Sequence, residues 1–491
     1  MTLLVRTPGT WLAERCYVLD LVLTEWLGLE YELTVHGSPG VVIGLRGDES
    51  ELEVQLPDVL FATPREAWLS EEAAPSRPLA RLIAPGRQPY SGDVGAGSAV
   101  ERCTDESLPV IFGAPSQDTL AWRTTPEGAS VSIDVFGSAF YLLTRIEEIL
   151  GGPVDRHRRF PAGASLAAAE TFVHRPIVDE YVEVLWAAMH SLWPRLRRRV
   201  TPFHLSLTHD VDRAWSILGR EPVAVARSFA GDLVRRRDPG VALRRAQALV
   251  ESRFGRVDHD PENTFDFLMD TSERLGLRNT FYFLAETTPR PSSERRTGVG
   301  APSRYRLSDP PIRGLLRRIH ARGHEIGLHG SYDSYLSAQQ LCSQFQALVA
   351  GCRAAGFDQT SWGVRQHFLR FQNPETWRNQ EAVGIAHDST LGFADEVGFR
   401  AGTCREYPVF DLLERRPLEL RERPLLVMDA TLFEYLNLSL ADAAARASAV
   451  VSQCRRFGGS PVVLYHNDWL TGARRRAHYR DLMEELARPG G

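Results

Sequence analysis

The sequence predicts an α/β protein in two parts: a smaller α/β module over residues 1–200, then a β/α unit over 201–491. Three observations lead there. At 491 residues the chain is too long for one ordinary domain of ~150 residues, although a barrel can absorb more than 250. From Phe203 onward, short apolar β-type runs alternate with helical stretches, the pattern of a parallel sheet covered by helices. Pro194 and the arginines behind it break the pattern near residue 200.

In the first part, Cys16 to Leu29 carries helical periodicity, with Val18, Leu21, Val22, Leu23, Trp26 and Leu27 forming one broad apolar stripe. Short β-type runs follow at Val41–Leu45, Leu52–Leu56, Val110–Gly113 and Val131–Val135. Between them Ala74–Ser98 is rich in Pro and Gly and reads as loop. Gly95 to Gly97 is a fragment of a dinucleotide fingerprint with no convincing strand before it, so it reads as loop too. Ser138–Leu150 is amphipathic and stops at Gly151–Pro153. Asp155, His157 and Arg158 then sit in a polar turn that either faces a substrate or caps an exposed loop. Ile177–Leu196 is a second long helix.

In the second part, FHLSLTHDVD at Phe203–Asp212 is a strand that ends in two carboxylates. Alternation puts Asp210 and Asp212 on one face and His209 and Val211 on the other. Neighbouring ionised acids repel, so such a pair calls for a cation or shared proton chemistry. A helix cap followed by a surface acid is the blander account. Ala224–Arg253 is helical, Arg-rich and reads as an insertion. Thr264–Leu275 reads as the covering helix and Asn279–Leu284 as a strand. A polar loop at Pro289–Ser303, a helix at Ile312–Arg322 and a strand at Glu325–Leu328 follow. His329 comes next. If a helical turn starts there, Asp333 shares its face, a spacing used by metal-binding pairs. Near the C-terminus Gly398–Asp411 reads as a polar loop after a strand, where β/α enzymes place substrate contacts. Arg400, Trp362, Tyr407 and Trp469 are the candidate substrate-binding residues, by stacking or hydrogen bonding. Asp429 follows an apolar run and either supports His466 or caps a helix.

Composition narrows the chemistry. The net charge of −5 comes from mixed charges, which gives no basic field for nucleic acid. All 57 basic residues are arginine, so the usual P-loop, protein-kinase and pyridoxal mechanisms, each of which needs a lysine, are excluded in their ordinary form. The six cysteines form no CxxC and no dense framework, as expected for reduced thiols. The first residues lack the apolar core of a secretory signal, and no apolar run reaches the ~18 residues of a membrane span. A cytoplasmic location with no membrane partner is the expectation.

THDVD at Thr208–Asp212, HGSYD at His329–Asp333, GVR at Gly363–Arg365, DSTLGF at Asp388–Phe393 and LYH at Leu464–His466 occur in one order. In that order they resemble the motifs of the polysaccharide deacetylase (NodB-homology, carbohydrate esterase family four) proteins, over roughly residues 201–475. The chain looks most similar to the branch with an extra N-terminal domain. The resemblance implies a distorted β/α barrel, a divalent metal ion (zinc foremost) and a hydrolase that removes an acyl group, most often acetyl, from the amide nitrogen of an amino sugar or glycan. It implies Asp210 as catalytic base, Arg365 as the residue orienting it, His466 as general acid, and Asp212 and His329 as metal ligands. The family's second motif has two histidines four apart, and here Asp333 stands at the second place. Asp333 is the first candidate for third ligand and His367 its competitor; His387 is expected to be structural. A deacylase of a soluble small molecule or nucleotide sugar, and a carbohydrate-binding relative without turnover, remain open alternatives.

Overall fold

The computed structural model describes residues 1–37, 39–84, 107–113, 120–218, 222–234, 238–285 and 305–488. The expected loop at Pro289–Ser303, Gly95–Gly97 and most of Ala74–Ser98 lie outside them.

The first part carries strands β1 (Thr2–Pro8), β2 (Glu30–His36), β3 (Val41–Leu45), β4 (Glu53–Leu56), β5 (Ala80–Leu82), β6 (Leu108–Val110), β7 (Trp122–Thr125) and β8 (Gly128–Val131). Six of them form a mixed sheet in the order β2-β1-β3-β4-β8-β7, and β5 pairs with β6. β1 turns Leu3, Val5 and Thr7 inward in strict alternation, while its parallel neighbour β2 is a largely exposed edge. The apolar stripe at Cys16–Leu29 becomes a helix, Leu12–Leu19, that widens into a π-helix at Asp20–Trp26. The expected strand Val131–Val135 starts three residues earlier and ends four earlier as β8, because Asp134 caps a helix, accepting from Gly137 N–H. That helix, Val135–Leu143, is interrupted at Arg145 in the left-handed region, and a second short helix, Ile146–Ile149, carries the predicted segment to its end at Leu150.

The second part carries β9 (Ser206–Val211), β10 (Asn279–Leu284), β11 (Glu325–Gly330), β12 (Gly363–Gln366), β13 (His387–Asp388), β14 (Tyr407–Asp411), β15 (Arg416–Glu422), β16 (Leu425–Met428) and β17 (Val462–Leu464). They form one sheet in the order β14-β15-β13-β12-β11-β10-β9-β17-β16, parallel throughout except for the β14 edge. Helices cover the strands, so β9, β10, β11 and β12 are buried on both faces, as parallel strands usually are. The sheet curls as a half-barrel. β16 reaches the segment after β13 through single hydrogen bonds, Leu425 N–H to Leu391 O at 3.1 Å and Gly398 N–H to Leu426 O at 3.3 Å. The expected insertion at Ala224–Arg253 is a pair of helices, Pro222–Val234 and Pro239–Glu251.

One hydrophobic core runs through both parts. Tyr17 and Phe140 pack on Phe410 of β14 with ring centroids 5.0 and 5.3 Å apart, and the Tyr17 hydroxyl donates to Pro408 O. Glu14 pairs with Arg415 at 2.7 Å. At the crossing between the parts, Gly458 ends helix Leu440–Phe457 at φ 63°. A Cβ there would lie 2.0 Å from Thr201 O. Gly458→Ala should therefore destabilise the protein by roughly 1–3 kcal/mol, read as a lower urea midpoint at unchanged slope.

Candidate metal centre and catalytic cleft

Parallel pairing brings the C-terminal ends of β9, β11, β12, β16 and β17 to one edge of the sheet, and the chemistry-bearing residues sit there. Along β9 the alternation works as the sequence predicts. Thr208 and Asp210 face inward, and His209 faces the covering layer, where its Nδ1 bonds Tyr465 O at 2.8 Å. Burial lowers the His209 pKa to about 4, so this imidazole is neutral and structural. His387 is likewise buried, its pKa lowered to about 3 by desolvation and then by Arg423.

Arg365 on β12 is fully buried and almost completely satisfied. Its Nη1 donates to Asp210 Oδ1 and to Thr208 Oγ1, both at 2.9 Å. Nε donates to Ser389 O at 2.8 Å and Nη2 to Ser389 Oγ at 2.9 Å. The Tyr282 ring lies 4.6 Å beneath the guanidinium. One Asp210 oxygen is thus committed to the arginine, while Oδ2 lies 3.8 Å from His329 Nε2.

Asp212, His329 and His367 place one ligand-type atom each within 4.8 Å of one another. His329 Nδ1 donates to Arg365 O at 2.9 Å, which fixes the tautomer with the Nε2 lone pair outward. That lone pair meets Asp212 Oδ1 at 3.1 Å, and His367 Nε2 lies 3.4 Å from the same oxygen. Asp212 Oδ1 is buried without a hydrogen-bond partner. Electron pairs converging on one point repel unless a proton or a cation sits among them. Two imidazoles and one carboxylate are also a donor set that divalent zinc accepts while keeping a position open. The residues fit a metal ion. Burial opposes ionisation of Asp212, and it is a proton on His367 or His329 that holds the carboxyl pKa well below the usual range when no cation takes its place.

Asp333 is not in this group. After Gly330 the chain enters a short 3-10 turn, Ser334–Leu336, instead of an α-helix, so four-residue spacing does not stack Asp333 over His329. Its half-exposed carboxylate takes Arg370 Nη1 at 2.7 Å. His367 comes in from the end of β12 on a turn in which Phe368 (φ 62°) and Leu369 (φ 55°) are both left-handed. Each such non-glycine residue costs on the order of 1–2 kcal/mol.

His466 follows β17. Its Nδ1 bonds Asp429 Oδ1 at 2.7 Å, and its backbone N–H donates to Asp429 Oδ2 at 2.8 Å. Asp429 is therefore the support for His466. Burial disfavours the imidazolium, but Asp429 first, then Asp212 and Asp210, raise its pKa well above the usual histidine value.

The four substrate-contact candidates fare differently. Arg400 is buried, bonding both oxygens of Glu148 at 2.9 and 2.7 Å and Gly392 O at 3.0 Å. Tyr407 is wholly buried and donates to Leu143 O. Both are internal links between the two parts. Trp362 precedes β12, at the opposite edge of the sheet from the carboxylates, and packs on Phe345. Trp469 alone stays beside the cleft: its N–H donates to His466 O at 3.2 Å and its ring stacks on Phe433. A cavity of about 310 Å³ lined by Arg158, Phe160, Phe371, Gln372 and Glu375 contains none of the residues of the metal group.

Residues 3–194 match the model of a family of unknown function, DUF7033. No curated protein matches the chain. Among solved structures, a protein assigned as a polysaccharide deacetylase from Mycobacterium smegmatis is similar at 19% identity and TM-score 0.37, covering 58% of this chain and 84% of its own. Puue allantoinase is similar at 11% identity and TM-score 0.34 over 58% and 84% of the two chains. A polysaccharide deacetylase from Bacillus cereus is similar at 10% identity and TM-score 0.26 over 58% and 88%.

Titration with a divalent metal separates the two candidate third ligands. His367→Ala should weaken binding by on the order of 100-fold or more, and Asp333→Ala should stay within a few-fold of the parent protein.

Proposed function

We propose that this protein is a metal-dependent amide hydrolase of the polysaccharide deacetylase (NodB-homology) type, removing an acyl group from an amino sugar. The observation that carries this reading is the convergence on one sheet edge of an arginine-held aspartate, a group of two histidines and one aspartate, and an aspartate-held histidine. The ordered motifs of the sequence supply Asp210, Asp212, His329, Arg365 and His466, while His367 and Asp429 lie outside them.

Asp212, His329 and His367 would hold a divalent ion, which when bound would supply Lewis acidity toward the substrate carbonyl and lower the pKa of water to ~7. Asp210 lies beside that group and is the base for the attacking water's proton. Its bond to Arg365 keeps one oxygen occupied and leaves Oδ2 as the accepting atom. Asp429 raises the His466 pKa above the usual histidine value, which favours the imidazolium as the proton donor to the departing amine nitrogen, and the Nδ1 bond directs Nε2 as the donating atom. Asp210 then holds a proton and His466 has lost one; returning the first to solvent and regaining the second resets the site.

The test combines elemental analysis with acetate release from N-acetylated amino-sugar oligomers and monomers. Asp210→Asn should keep the metal and lose turnover by on the order of 10²–10⁴-fold, and His329→Ala should lose both. Full turnover in Asp210→Asn would mean that the base is elsewhere.

The raised pKa of His466 also sets a pH limit. Activity needs the imidazolium, so it falls as pH rises through that pKa. Asp429→Asn removes the largest raising influence, leaves the opposing effect of burial, and should move the alkaline limb of the kcat profile to lower pH.

A further inference from the structure

We infer that the segment Asp155–Arg159 of the N-terminal part is a working component of the metal centre: it clamps the strained turn that delivers His367. The inference rests on the metal-centre reading above.

Four observations support it. The turn after β12 places two consecutive non-glycine residues, Phe368 and Leu369, at positive φ immediately beyond His367. A conformation so disfavoured persists only where its surroundings hold it. Arg159 crosses from the other part of the chain and donates from Nη1 to Phe368 O at 3.0 Å and from Nη2 to the Tyr435 hydroxyl at 2.8 Å. Asp155 in turn fixes Arg159 through Nε at 2.7 Å, so the guanidinium is set before it meets the turn.

His157 grips the same turn from its side chain and its backbone. Its ring lies 4.7 Å from the Phe368 ring, and its Nδ1 bonds the Tyr332 hydroxyl at 3.1 Å. His157 O accepts Arg370 Nε at 3.0 Å, and the same Arg370 holds Tyr332 O and Asp333. The Phe368 ring is thereby enclosed by His157, Tyr332 and His367. The His157 and Arg370 contacts all end within three residues of His367 or on the loop after β11 that follows His329, and Arg159 reaches Tyr435 besides Phe368.

Arg159 and His157 are positioning residues: neither reaches the metal group, and both act through Phe368. A packing role alone would lower thermal stability and leave metal affinity untouched. A clamp on the ligand turn makes the affinity itself depend on these residues, because an unclamped turn must be ordered when the ion binds.

The test uses the full chain, with Zn²⁺ affinity measured by competition against a chromogenic chelator and thermal unfolding of the metal-free protein measured in parallel. Arg159→Ala should weaken Zn²⁺ binding by on the order of 10–100-fold, the range seen when outer partners of metal ligands are removed. Arg159→Lys keeps the charge but loses the two-pronged geometry and should fall between. Tyr435→Phe deletes one hydroxyl from a partly exposed side chain, so it remains informative even if Arg159→Ala does not fold; it should weaken binding by a few-fold at nearly unchanged melting temperature. Parental affinity in folded Arg159→Ala, or in Tyr435→Phe, overturns the clamp. A parent protein that takes up no Zn²⁺ overturns the metal-centre reading and the clamp together, whereas uptake by the parent with indifferent variants overturns the clamp alone.

Discussion

The buried ion pair between Arg365 and Asp210 is the constraint on which the rest of the site depends. A guanidinium with no exposed surface is tolerated only when its donors are met, and breaking such a pair from one side typically costs about 3–5 kcal/mol. Meeting those donors requires three segments far apart in sequence: Thr208 and Asp210 from β9, Arg365 from β12, and Ser389 from just beyond β13. Once the strands hold that register, Asp210 Oδ2 and Asp212 point toward His329, whose ring is itself fixed by the carbonyl of Arg365. A single residue therefore sets the position of Asp210 through its side chain and the tautomer of His329 through its backbone.

Charge is balanced around this pair as well as geometry. Asp388 and Glu422 lie buried behind Ser389, and burial pushes the Asp388 pKa up to about 6. Burial first, and the nearby Asp388 second, raise Glu422 well above the ordinary carboxyl value. Trp377 Nε1 donates to Glu422 at 3.0 Å and Thr390 Oγ1 donates to Asp388 at 2.5 Å, which keeps the pair in place. The Asp388–Glu422 pair and Asp210 are thus both electrostatic neighbours of Arg365.

What the sequence reveals of this arrangement follows from how local each cause is. Alternation along LSLTHDVD places Asp210 and Asp212 on one face because a strand's period is fixed by its backbone alone. The helical pair at residues 222–251 and the parallel sheet are legible for the same reason. Asp333 misleads because its spacing suits a helix, whereas the chain takes a 3-10 turn there and Arg370, 37 residues away, claims the carboxylate. Arg400 and Tyr407 read as cleft residues because they sit in polar sequence, but their partners Glu148 and Leu143 lie more than 250 residues earlier, and no local pattern announces such pairing. β2 is missed because an exposed edge strand has little apolar alternation to display.

The relation between the two parts of the chain follows from the same distinction between local and distant causes. β12 can fix Arg365 by itself, since strand geometry and buried hydrogen bonds determine where that side chain lies. It cannot fix His367, because the residue stands past the strand's last ladder bond and the next two positions adopt a conformation the chain disfavours. Holding those positions takes bonds from outside the sheet. The barrel contributes Arg370, and the N-terminal part contributes Arg159 and His157, reaching across a continuous core already joined by Tyr17, Phe140 and Phe410. If His367 is a ligand as proposed, its place beyond the end of its strand makes the joining of the two parts a matter of chemistry as much as of stability. The sheet and its strand ends place Asp210, Asp212 and His329, and the interface between the parts holds the turn that carries His367.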